Sequence, residues 1–313
     1  MAEFKVQVAE DIISFFQAKH IDYDLSAEQE KINNDLGKAD RIRYEERILA
    51  LLNYIDRIVN PIPRKVVFSN VINNKISTGS LPAEIITEVN RFKELLTNGE
   101  DVNNHLSKTI FDPEKIDYAF NLWRIKHFHL NYDTAFEKNA MSGNRSEWLL
   151  FAIVKDDNAY FLDVRNHPRG EGFTAYSFFE IIAANGWLPV IGYLEQKNVT
   201  SLHCDEDEIQ KDEAIYKLIK AGINRPSKYC GSYYIGIFDG ATASGDSLHH
   251  VLLLESLNKT IQSNPSWEYK ELLENSDLAG ISLKFLDKTS GKELMVALFC
   301  NGNHNIQVFE AHN

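Results

Sequence analysis

The sequence predicts an α+β protein: an N-terminal helical region followed by a mixed body rich in antiparallel strands. Three observations carry this. Apolar residues recur at helical spacing through the first hundred residues. The texture then changes at "EWLLFAIVKDDNAYFLDVRNH", two strand-like apolar runs about a polar turn. From Cys230 onward, short apolar segments read as strands.

The elements follow in order. Phe4, Val8, Ile12, Phe15 and Phe16 give one face of a first helix over residues 3–19. Asp24 or Ser26 caps a second helix, and Ser26 with Gln29 has the capping-box spacing. That helix runs to about Val59, where "NPIP" stops it, with a break near Gly37. "STGSLPAEIITEVNRFKELL" reads as a third helix, with Ser80 at the cap and Pro82 in the first turn, and "TNGEDVN" ends it. "DPEKIDYAFNLW" is a short helix.

The hairpin turns at "KDDN". "FTAYSFFEIIAANGW" is a helix ended by Asn185 and Gly186, and "LPVIGYLE" a buried strand. "DEDEIQKDEAIYKLIKAG" is acidic at its start and basic at its end, which suits the helix dipole. "YYIGIFD", "HHVLLLESL", "ISLKFLD", "ELMVALFC" and "NIQVFEAH" complete a β-rich end. The expected division is a helical region over 1–110, an α+β catalytic core over 111–200 and a β-rich region with one helix over 201–313.

The 313 residues are long enough for a large core without staples. Three cysteines without paired spacing argue for a reducing compartment. Charges interrupt the first nineteen residues, so no signal peptide is read there, and no apolar run approaches a membrane span. A cytoplasmic protein without membrane contact is expected. The net charge of −12 disfavours nucleic-acid binding over the whole surface but leaves room for a local basic cleft. Such a cleft has material between Lys108 and Arg169, whereas acid is concentrated in "CDEDEIQKDE" and the early helices.

Candidate chemistry gathers in "LWRIKHFHLNYD" and "YFLDVRNHPRG". On a strand, residues two apart share a face, so His127 and His129 lie side by side. With Asp163 and His167 they have the composition of a zinc or manganese site. A structural reading packs both histidines beside Trp123 and Tyr132. A third reading needs no metal. Cleavage of RNA requires a base for the 2′-hydroxyl, an acid for the 5′-oxygen and cations around the phosphorane. Histidine fills the first two roles and arginine the third. Arg145 opens one strand of the hairpin, while His167 and Arg169 end the other, so the turn brings them together. The catalytic set is therefore His127, His129, Arg145, His167 and Arg169, with Arg124, Lys126 and Arg165 binding substrate. No metal and no cofactor are expected.

The order of helices, a strand carrying an arginine ("R…LLFAIV"), a tight turn and a strand ending in basic residues ("YFLDVRNHPR") resembles the RelE/HigB/ParE-type toxins over residues 120–190. The resemblance implies a metal-independent endoribonuclease of toxin or phage-defence type. Arg145, His167 and Arg169 would stand at the family's basic strand-end positions, and RNA would be the partner. The segment "WRIKHFHL" also resembles uncharacterised bacterial and prophage proteins with a W-x-I-x-H-x-H-L segment. Two alternatives stand beside it. One is an interaction protein binding a protein partner through its N-terminal helices and the acidic helix near Asp205–Glu213. The other is a metal-dependent hydrolase using the HxH pair.

"GATASG", Gly240 to Gly245, lacks the spacing of a phosphate-binding loop. His249 and His250, read as strand residues, would point to opposite faces. His203, Cys204 and Cys230 have no companions in sequence that would make a metal or nucleophile motif.

Overall fold

The computed structural model describes residues 2–107, 112, 117–130, 147–155, 157–168, 172–173, 175–196, 212–221, 227–236, 247–275, 280–299 and 306–310. The fold is α+β. Contacts divide the chain into two units, each discontinuous in sequence. One comprises Met1–Ile58, Lys108–Lys115 and His249–Asn313, the other Val59–Ser107 and Ile116–Leu248. These cuts do not fall at residues 110 and 200, because the first helices share a core with the last strands.

In the first unit, helices α1 (Ala2–Ala18), α2 (Leu25–Asn34) and α3 (Ala39–Arg57) follow one another. A 3₁₀ turn at Leu36–Lys38 breaks α2 from α3 where Gly37 predicted it. Asp24 caps α2, its Oδ1 accepting from the Ser26 backbone N–H at 2.9 Å. Arg47 is buried and pins all three helices. Its Nε and Nη2 donate to both Glu28 oxygens, at 2.8 and 2.9 Å, and its Nη1 donates to the Ala9 carbonyl at 2.9 Å. Val8, Ile12, Phe16, Ile48 and Leu52 pack with Leu283, Phe285, Val296 and Leu298 of the C-terminal strands.

The second unit begins with three elements: β1 (Lys65–Phe68), α4 (Asn70–Ser77) and α5 (Ala83–Asn98). After α6 (Tyr118–Trp123) come β2 (Lys126–His129), β3 (Trp148–Val154) and β4 (Asn158–Asn166). The strand order is β1-β4-β3-β2, with β1 parallel to β4 and the other pairs antiparallel. One face packs on α5 through Phe92 and Leu96, which meet Phe128, Leu150, Ala152 and Phe161. The other face packs on α7 (Tyr176–Ala184), where Leu149, Phe151 and Ile153 meet Phe178, Phe179 and Ile182. Beyond it lie β5 (Tyr193–Gln196), α8 (Asp212–Lys220), β6 (Ser227–Tyr229) and β7 (Ser232–Gly236), the strands in order β5-β7-β6.

Several elements differ from the expectation. "HHVLLLESL" is not a strand but belongs to helix α9 (Leu248–Gln262). Its apolar run is short enough to suit either period, and the polar continuation to Gln262 makes it helical in length. His249 and His250 are thus helical neighbours, and the strand-face argument against joint action does not apply to them. "LPVIGYLE" splits into a 3₁₀ turn at Leu188–Ile191 and the short β5, because Pro189 and the left-handed Gly192 interrupt a strand. Ser80 does not cap α5. Its hydroxyl meets that of Thr78 at 2.6 Å, and Pro82 takes the cap position.

Strand β1, helix α4 and strand β8 (Trp267–Asn275) have no counterpart in the sequence reading. The charges of β8 are tolerated because its neighbours match them. β8 joins β9 (Gly280–Asp287), β10 (Glu293–Phe299) and β11 (Gln307–Glu310) in the order β11-β10-β9-β8. Glu271 lies directly opposite Lys284, which bridges to Glu271 and Glu293.

The hairpin β3–β4 carries one irregularity. Ala152 stands opposite Phe161, yet Phe151 stands opposite Asp163, so Leu162 is an extra residue in β4. The Leu162 carbonyl accepts from the Ser69 hydroxyl at 2.5 Å. The same Ser69 oxygen accepts from the Ile72 N–H at 3.1 Å and thereby caps α4. Ser69→Ala removes both bonds at a fully buried position. It is expected to lower unfolding free energy by about 1–3 kcal/mol in a urea titration. A loss below about 0.5 kcal/mol, the size of an ordinary surface substitution, would show that Ser69 does not hold the bulge.

Candidate functional site

The site is built by register. His127 lies opposite Phe151 and Phe151 opposite Asp163. His129 lies opposite Leu149 and Leu149 opposite Arg165. Directly opposed residues share a face. His127, His129, Asp163 and Arg165 therefore stand on the face that α7 covers. The bulge decides this. In a regular strand, residues 163, 165 and 167 would follow Phe161 onto the α5 face. The extra Leu162 turns them over.

Asp163 is 3% exposed and lies between two cations. Its Oδ2 accepts from Arg165 Nε at 2.7 Å and its Oδ1 from Lys75 Nζ at 2.6 Å. Lys75 also donates to the Val164 carbonyl at 3.0 Å. Arg165 Nη2 donates to Ser177 Oγ at 3.1 Å, and the guanidinium lies over the Phe178 ring, 4.1 Å from its centroid. The arginine is held by a carboxylate, a hydroxyl and an aromatic ring, with two of its five N–H donors engaged among the described residues. Two cations against one carboxylate leave the cluster positive, which suits an anion.

The histidines occupy the same sheet face. The His129 and His167 rings are 6.0 Å apart, centroid to centroid. Phe173 packs against both His127, at 5.2 Å, and His167, at 5.4 Å. His129 is buried and His127 half-buried, whereas His167 is exposed. The His167 backbone N–H donates to the Glu147 carbonyl at 2.6 Å, which continues the β3–β4 ladder. Its Nδ1 is 2.9 Å from the Pro168 carbonyl. A carbonyl only accepts, so the neutral ring keeps its proton on Nδ1 and presents Nε2 as an acceptor.

Of the residues expected to act together, His127, His129 and Arg165 share one sheet face, and the His167 ring lies next to that of His129. Arg145 and Arg169 lie outside the described residues. Arg124 and Lys126 make other contacts. Arg124 adopts a left-handed φ of 56° to end α6, and both cations lie over the Phe120 ring, at 5.2 and 4.6 Å. Lys126 alternates to the face opposite His127 and His129. Asp163, considered in sequence only as a metal ligand, instead engages Arg165 and Lys75. Among the described residues, no three His, Cys, Asp or Glu side chains form a group able to hold a metal ion.

Sequence reasoning missed Lys75, Ser177, Phe173 and His105. His105 Nδ1 donates to the His129 carbonyl at 2.9 Å, and the ring meets Phe92 edge-on. Of these, only Ser177 carried a signal, as a polar residue opening an apolar helix close to the basic strand end. No protein-family model matches the chain, and neither a curated protein nor a solved structure matches it.

Burial pushes the His105 pKa down, against the opposing pull of its bond to the His129 carbonyl. The neutral ring is therefore the folded form, and its contribution is complete above the unfolded pKa, about 6.5. It is lost as pH falls from there through the lowered folded value, because the unfolded chain takes up the proton first. Unfolding free energy measured against pH should fall below about pH 6.5, by up to about 1.4 kcal/mol per pH unit for this one proton. His105→Asn keeps a donor for the carbonyl without titrating, and its curve should be correspondingly flatter. Parallel curves for the two proteins would contradict the assignment.

Proposed function

We propose that this protein is a metal-independent endoribonuclease of the toxin or phage-defence kind, acting at the histidine–arginine face of β2 and β4. The observation that carries the reading is the placement of the His129 and His167 rings 6.0 Å apart on a sheet face that also carries an oriented guanidinium. Two imidazoles, one buried and one exposed, and a half-buried cation would supply the acid, base and charge that RNA cleavage needs.

In this reading His167 is the base. Its Nε2 takes the proton of a ribose 2′-hydroxyl, and the 2′-oxygen attacks the adjacent phosphorus. As the 2′-O–P bond forms, the P–O5′ bond breaks, and His129 in its protonated form gives a proton to the departing 5′-oxygen. The products are a 2′,3′-cyclic phosphate and a free 5′-hydroxyl, and the pair has exchanged one proton. Arg165 faces the phosphoryl oxygens, where the planar fork matches two oxygens at once. Its preorganisation by Asp163, Ser177 and Phe178 removes the need to order a long side chain during the reaction.

The test is cleavage of single-stranded RNA by the purified protein, with product ends identified. His167→Ala and His129→Ala should each lower the rate by about 10²–10⁴-fold, the usual contribution of a general acid or base. Arg165→Lys should lower it as well, since one ammonium does not reproduce a bidentate hold. EDTA should change nothing. Loss of activity on chelation would favour the metal-dependent hydrolase, and cleavage that survives both histidine substitutions would refute the assignment.

A further inference from the structure

We infer that Lys75 is a second phosphate-binding cation of this site, and that its substrate is a single strand held through more than one phosphate. The inference rests on the proposed reading and adds to it a residue and a substrate class.

Lys75 lies in α4, which follows β1 directly, and β1 is the parallel neighbour of β4. The Ser69 cap ties the start of α4 to the bulged residue Leu162. The ammonium of Lys75 and the guanidinium of Arg165 thus reach the two oxygens of one carboxylate from different elements. Lys75 also has spare capacity: an ammonium has three N–H donors, and among the described residues Lys75 uses two, on Asp163 and the Val164 carbonyl. Its side chain is 30% exposed, and that of Arg165 is 25% exposed. Both cations are open to an incoming anion, while the carboxylate between them is 4% exposed and holds them in place.

Charge points the same way. A buried ion pair needs only one cation for each carboxylate, and among the described residues this carboxylate has two. Lys75 is the surplus charge of this group, and an arriving phosphate supplies its match. The recess selects the strand. His129 and Asp163 are buried and the two cations half-buried. A phosphate must come down to the sheet to meet them, which a flexible single strand does without the cost of opening a duplex.

The experiment measures binding of a short fluorescent 2′-O-methyl RNA, which lacks the attacking hydroxyl, against salt concentration. The slope of log affinity against log salt counts phosphate contacts, at about 0.7 per contact for a single strand. Lys75→Met keeps the aliphatic stem without the charge. Its slope should be shallower by about 0.7, and KM for cleavable RNA should rise with little change in kcat. Lys75→Arg should restore the slope. A duplex of the same sequence should bind more weakly than the strand.

Should Lys75→Met fold poorly, the wild-type protein provides the readout. Reductive ¹³C-methylation keeps the lysine charge, and Lys75→Arg identifies the Lys75 signal by its disappearance. That signal should shift when the 2′-O-methyl RNA is added. An unchanged salt slope in a folded Lys75→Met protein, or an unmoved Lys75 signal in a protein that binds the RNA, overturns the inference and leaves the proposed function standing. Equal or tighter binding of the duplex overturns the substrate class. Absence of RNA binding and cleavage in the wild-type protein refutes the proposed function and this inference with it.

Discussion

A single extra residue in β4 controls which side chains meet in this protein. Up to Phe161 the strand alternates as a regular partner of β3, with Ala159 and Phe161 on the α5 face. Leu162 then adds one residue, and the alternation resumes inverted. Val164 takes the α5 face, and Asp163 and Arg165 take the other. Inserting one residue reverses every later side chain, since the strand period is two. Without the inversion, a carboxylate and a guanidinium would be forced against Phe128, Leu150 and Phe92. With it, they stand in the same rows as His127 and His129.

The bulge is held from outside the hairpin. An extra residue leaves a carbonyl without its ladder partner, and an unpaired buried carbonyl costs about 1–3 kcal/mol. Ser69 supplies the donor and in the same stroke starts α4. The helix then returns a cation to Asp163, one residue past the bulge. The β1–α4 segment therefore completes the geometry that the hairpin begins. On the other side of the sheet, His105 secures the end of β2 through the His129 carbonyl and fills space beside Phe92. The rings that meet solvent and those that fix them belong to one packed unit.

Much of this was legible in the sequence, for identifiable reasons. The hairpin about "KDDN" is local, so its two apolar runs and polar turn reveal it directly. His127 and His129 share a face because the strand period is two, and Arg165 and His167 follow on the partner strand. The bulge left only a faint trace, the consecutive apolar residues Tyr160, Phe161 and Leu162, which break the alternation. Strand β1 was illegible. It is four residues long, and its stability comes from a parallel partner more than ninety residues away in sequence. Missing β1 meant missing α4 and with it Lys75. The α9 helix was misread because four consecutive apolar residues, Val251 to Leu254, fit either period, and only its length decides. Arg124 and Lys126 show the opposite limit. Charge and proximity in sequence suggested a substrate role, whereas alternation sends Lys126 to the other face.

In the proposed reading, the histidines and Arg165 form one phosphate-binding face. Its most direct test is a long-range ¹H–¹⁵N imidazole and guanidinium NMR spectrum of the wild-type protein, recorded with and without a 2′-deoxy dinucleotide that cannot be cleaved. The free His167 ring is expected to carry its proton on Nδ1, and the signals of His129, His167 and Arg165 Nε to move together on binding. Binding that leaves these three unmoved while other side chains respond would contradict it.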